Sequence, residues 1–139
     1  SNLDAISAQI GLAAFALAMA LKGSDKVTAV HYPGLDAANP TCAAARLLQE
    51  GYGGMLSFEL DGGREAVDGM IRSLSLAAFV PSLGSYATTI SHPASTSHRS
   101  MSEDEKLKLG ITDGLVRVSV GIEQEQDIVS DFTEALSRI

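Results

Sequence analysis

Residues 114–121 limit the fold more than any other stretch of the chain. Gly114-Leu115-Val116-Arg117-Val118-Ser119-Val120-Gly121 is rich in β-branched residues and bounded by glycine, which predicts a short strand. Side chains along a strand alternate between faces. Val116, Val118 and Val120 therefore share one side, and Leu115, Arg117 and Ser119 the other. A chain with this strand must cover the valine side with apolar packing and turn the arginine side toward something polar. A guanidinium held on a rigid strand suits bidentate binding of a carboxylate or phosphate. A solvated arginine or a structural ion pair accounts for the same position.

The rest of the chain supplies the covering layer. Ile6, Ile10, Ala14, Leu17 and Leu21 recur at helical spacing, predicting a long amphipathic helix over residues 3–21, ended by Gly23-Ser24. A short strand is expected over 27–32. Asn39-Pro40 then caps and opens a helix running to Glu50. Residues 55–60 alternate as a strand, and Asp61-Gly62-Gly63 turns it into a helix over 64–73. Strands are expected at 76–80 and 87–90, with a Ser/Thr/Gly/Pro-rich loop around them. Ser102 and Glu105 fit a capping box for a helix closed by Gly110. A last amphipathic helix, from residue 124 on, buries Ile128, Phe132 and Leu136. These elements predict an α+β fold: a small, mostly antiparallel sheet with helices on one face. The other face carries Ser57, Glu59, Arg117 and Ser119, and is either wet or docked to another domain.

Size and charge narrow the function. At 139 residues the chain has room for one core and not for a two-domain enzyme of ordinary size. A net charge of −7 argues against non-specific binding to nucleic acid or to an acidic membrane, though not against a local anion site. The apolar stretch 10–21 is too short for a membrane span. One cysteine, Cys42, rules out an intrachain disulfide and fits a cytoplasmic protein, with the thiol read as a small buried side chain. His31, His92 and His98 are scattered, and no metal-ligand spacing occurs. His31 reads as a strand-end surface residue, His98 as a structural one, and Glu59 as solvated or paired with a base. Ser1-Asn2 reads as the remnant of an expression tag, so the chain is expected to be a piece of a longer protein.

Several stretches together resemble one family. They are Tyr32-Pro33-Gly34-Leu35, Gly53-Gly54-Met55-Leu56-Ser57-Phe58-Glu59-Leu60, Ser82-Leu83-Gly84, His92-Pro93-Ala94-Ser95, Ser97-His98, and the run from Gly110 through Arg117 to Glu123. In order and spacing they are similar to the C-terminal domain of the Cys/Met-metabolism enzymes that use pyridoxal phosphate: cystathionine γ-synthases, cystathionine β- and γ-lyases, methionine γ-lyases and homoserine-ester sulfhydrylases. The resemblance covers nearly the whole chain. It implies the small C-terminal domain of a fold-type I enzyme, with the cofactor held by a larger domain absent here. It also implies a sulfur-containing amino acid as substrate and a homotetramer for the whole enzyme.

Under this resemblance Arg117 binds the substrate α-carboxylate, Ser82 and Leu83 lie beside the same carboxylate, and Ser97 keeps a hydroxyl before the family's histidine. A fixed carboxylate orients the bond to be broken against the cofactor ring, so it affects rate as well as affinity. Pro81 departs from members that place glutamate before the Ser-Leu-Gly loop, and Ser85-Tyr86-Ala87-Thr88 departs from their following residues. Lys22, Lys26, Lys106 and Lys108 lack the context of the family's cofactor lysine, and all four read as solvated. Alone, the chain is expected to be catalytically inactive. Two other classes stay open: a stand-alone amino-acid-binding module, and an interaction domain that pairs through the open sheet face.

Overall fold

The computed structural model describes residues 2–32, 54–75, 78–79, 88–94, 101–109 and 111–139. Its elements follow in the order α1 (Asn2–Lys22), β1 (Val27–His31), β2 (Met55–Leu60), α2 (Gly63–Ser73), β3 (Ala78–Phe79), β4 (Thr89–Ser91), α3 (Glu103–Lys108), β5 (Leu115–Ser119) and α4 (Glu125–Ser137). The helix expected from Pro40 to Glu50, and Cys42 within it, lie outside the described residues.

One sheet, in the order β1-β2-β5-β4-β3, runs through the molecule. β1 with β2, β2 with β5, and β5 with β4 pair antiparallel; β3 with β4 pairs parallel. The sheet is thus mostly antiparallel, as expected, with one parallel pairing at its edge. The strand expected at 87–90 is found at 89–91.

The valine face of β5 is covered. Val116 and Val118 are fully buried and Val120 nearly so, in one core with Leu56, Phe58 and Leu60 of β2 and Ile90 of β4. α1 contributes Leu17 and Leu21, α2 contributes Val67 and Met70, and α4 contributes Ile128, Phe132 and Leu136. Phe58 and Phe132 meet edge to face, with centroids 6.3 Å apart, which joins sheet to helix layer. The expected face of α1 is the one that packs, with Ala14, Leu17 and Leu21 buried. The same helix also leaves Leu12, Phe15 and Met19 exposed on its other side.

Backbone geometry at two places requires glycine. Gly62 and Gly63 both have positive φ, 98° and 63°, so the turn out of β2 enters α2 through left-handed backbone that larger residues resist. Gly114 lies against β2 so closely that an added Cβ would stand 2.4 Å from the carbonyl oxygen of Leu60. Its own carbonyl accepts the Leu60 N–H at 2.9 Å, extending the β2–β5 ladder.

The capping box forms: Ser102 Oγ accepts the Glu105 N–H at 3.2 Å and donates to Glu105 Oε1 at 3.0 Å. Two of the four lysines correct the sequence reading. Lys26 is half-buried, its Nζ donating to the carbonyls of Leu136 (3.0 Å) and Ile139 at the end of α4, where a cation suits the helix dipole. Lys106 is buried on α3. Lys26 is held by a segment distant in sequence, which local composition does not reveal. No helix among the described residues is long and apolar enough to cross a membrane.

Candidate functional site

Arg117 sits at the middle of β5, and β5 at the middle of the sheet. Cross-strand pairing sets its neighbours: Ser57 of β2 on one side and Ser91 of β4 on the other, with His31 of β1 opposite Ser57. Directly paired residues share a face, so His31, Ser57, Arg117 and Ser91 form a row across the side turned away from the helices, about 4.8 Å apart from strand to strand, exposed at His31 and buried at Ser91. Glu59 stands opposite Leu115, and Ser119 opposite Met55 and Thr89, on the same side. The polar face expected from alternation is therefore present, with Ser91 and Thr89 added to it.

A shallow open cleft of about 170 Å³ lies over this face, lined by His31, Met55, Leu56, Ser57 and Arg117. Arg117 itself is half-buried, and its Nε is buried without a hydrogen-bond partner. Buried donors are nearly always paired, more so when they carry charge, so an orphaned guanidinium nitrogen calls for a partner. The nearest acid of the face does not supply one. Glu59 Oε1 accepts the Thr112 hydroxyl at 2.9 Å, and its Oε2 lies 3.5 Å from His31 Nε2. Glu59 is thus paired rather than simply solvated, and His31 is the exposed strand-end residue expected. Among the described residues no carboxylate neutralises Arg117. This is a strand-borne cation beside a cleft, with donor capacity to spare: it can hold a carboxylate.

Ser82, Leu83 and Ser97 lie outside the described residues, as do Pro81 and His98. Sequence reading missed two polar features nearby. His92, directly after β4, is buried, and its Nε2 bonds to the carbonyl oxygen of Asp113 at 2.5 Å, tying β4 to the turn before β5. Thr88 is also buried and is held by the carboxylate of Glu123. The alternation of Thr89, Ile90 and Ser91 could have shown Ser91 on the arginine face. Nothing local signals the contact between positions 88 and 123.

The described residues suit a substrate carboxylate and do not suit the pyridoxal phosphate that the resemblance implies. Attachment of that cofactor needs a free amine in a cleft. Lys26 is engaged with carbonyls at the end of α4, Lys106 is buried on α3, and Lys22 and Lys108 are exposed at helix ends. The Arg117 cleft offers one cation, with neither a lysine nor a glycine-rich helix N-terminus for a phosphate. Among the described residues, no group of three or more His, Cys, Asp or Glu side chains is arranged to hold a metal ion.

Comparison with known proteins bears on the same point. The chain is 43% identical over 114 residues to the L-methionine gamma-lyase of Fusobacterium nucleatum subsp. nucleatum, a match covering 82% of this chain and 29% of that protein. It is 43% identical over 113 residues to the cystathionine beta-lyase MetC of Bacillus subtilis, covering 81% of this chain and 28% of that protein. Among solved structures, cystathionine gamma synthase from Xanthomonas oryzae pv. oryzae, in complex with aminoacrylate and cysteine, superposes with a TM-score of 0.88 at 40% identity. That match covers 99% of this chain and 35% of the other. The chain thus spans about a third or less of the length of each of these proteins. The profile of the Cys/Met metabolism PLP-dependent enzymes matches residues 7–137, and the chain belongs to that family.

Proposed function

We propose that this chain is the C-terminal, substrate-recognising domain of a pyridoxal-phosphate-dependent lyase or transferase of sulfur amino-acid metabolism. Its substrate is a sulfur-containing amino acid or a homoserine ester, undergoing β- or γ-elimination or γ-replacement. The bond-breaking chemistry belongs to the cofactor on a large domain outside this chain. The part assigned here is to bind and orient: Arg117 grips the α-carboxylate. The observation that carries the reading is the half-buried Arg117 at the centre of the polar sheet face, beside a cleft, with its Nε unpaired among the described residues. Ser82, Leu83 and Ser97 complete the substrate side, on the strength of the resemblance. The whole enzyme acts in the cytoplasm as a homotetramer, docking this face onto its large domain.

Arg117→Ala in the enzyme that carries this segment tests the reading. Losing one partner of a buried charge pair costs about 2–5 kcal/mol, so kcat/KM should fall roughly thirty- to several-thousand-fold. Cofactor absorbance should stay at the parent level. Equal loss of cofactor and of turnover would make Arg117 structural and overturn the assignment. Micromolar binding of methionine, cysteine or cystathionine by the 139-residue chain alone would instead favour a stand-alone sensor.

A further inference from the structure

Glu123 closes the motif that contains Arg117, and the function above leaves it unused. Its carboxylate accepts the Thr88 N–H with both oxygens, at 3.1 and 2.9 Å, and the Thr88 hydroxyl at 2.6 Å on Oε1. The same hydroxyl accepts the Gly121 N–H at 2.9 Å. Donors run in one direction, from Gly121 to Thr88 to Glu123, so each bond strengthens the next. Thr88 is 1% exposed, leaving water little chance to replace these partners.

The clamp lies where it controls the arginine. β4 has three residues and three ladder pairs with β5: Thr89 with Ser119, Ile90 with Val118, Ser91 with Arg117. So short a strand specifies its register weakly. A slip of one residue would exchange its faces, turning Ile90 toward Arg117 and Ser91 toward the core. Ile90 in the core resists the slip from within the strand, and the Glu123 clamp resists it at the strand entrance.

We propose that Glu123 is a positioning residue for substrate binding, acting through Thr88 and the register of β4 on the setting of Arg117. The proposal rests on the reading of Arg117 as the carboxylate-binding residue. Glutamine is a poor replacement for Glu123: one oxygen could still accept from Thr88, but the amide NH₂ in place of the other would face the Thr88 N–H, and the charge is lost; aspartate is one methylene shorter.

The test is a double-mutant cycle in the enzyme that carries this segment, reading KM for the amino acid, kcat and cofactor absorbance. Glu123→Gln should raise KM about tenfold or more in the parent, within the range of coupled neighbours, with cofactor absorbance little changed. In an Arg117→Ala background the same substitution should change KM less than about twofold, because nothing remains for it to position. Thr88→Val should reproduce a smaller part of the effect, and Thr88→Ser, which keeps the hydroxyl, should restore the parent KM. Thr88→Val and Thr88→Ser carry the test if Glu123→Gln does not fold. An equal KM increase in both backgrounds, or a Thr88→Val enzyme with parent KM, overturns the proposal. If Arg117→Ala itself leaves KM unchanged, the carboxylate assignment fails instead.

Discussion

The two faces of the sheet carry opposite chemistry on the same strands. On the helix side β5 presents Val116 and Val118, followed by Val120 just past its end, all buried in one core with Phe58, Leu17 and Phe132. On the other side it presents Leu115, Arg117 and Ser119, half-buried, beside serines, a glutamate and an exposed histidine. The first face is satisfied within the chain, every buried apolar group having apolar neighbours. The second holds a guanidinium nitrogen with no partner. The core face explains why the chain folds, and the open face shows what the fold leaves for another molecule to complete.

Substitutions should separate the two. Phe132→Ala removes a fully buried ring from the junction of sheet and helices and should cost about 3–5 kcal/mol, a large part of a small domain's stability. Urea unfolding of the chain would measure it, and a loss below 1 kcal/mol would mean that the core is loosely packed. Gly114→Ala drives a methyl group into the Leu60 carbonyl and should cost about 1–3 kcal/mol, read as a lower melting temperature. Ser102→Ala removes one cap from a short helix and should cost about 1 kcal/mol or less. Arg117→Met should leave the stability of the chain unchanged or slightly raised, because it removes a half-buried cation with an unpaired Nε at similar volume. A marked drop in melting temperature for Arg117→Met would place Arg117 with the core residues and erase the contrast.

Much of this contrast was legible before any coordinates. Strict alternation at 114–121 marked both faces of β5, and helical spacing marked α1 and α4. The capping residues of α3 were legible for the same reason, since each of these signals lies within a few neighbouring positions. The missed features depend on partners far along the chain. β4 begins at Thr89 because the Thr88 N–H is taken by a side chain 35 positions away and not by the sheet ladder. Lys26 and Lys106 read as solvent-facing because charge was the only local cue, while their burial comes from tertiary packing. Arg117 as an anion-binding candidate was visible from its strand; the pairing of Glu59 with Thr112 and His31, which leaves the arginine unneutralised, was not.

The order of strands has a consequence for how the molecule comes into being. β5, last of the described strands to leave the ribosome, is the seam between β1-β2 and β4-β3. Until it inserts, β2 and β4 expose bare edges, and their late closure is a slow, non-local event prone to wrong pairings. The same strand carries Arg117, so the proposed carboxylate grip takes shape only when the sheet itself is completed.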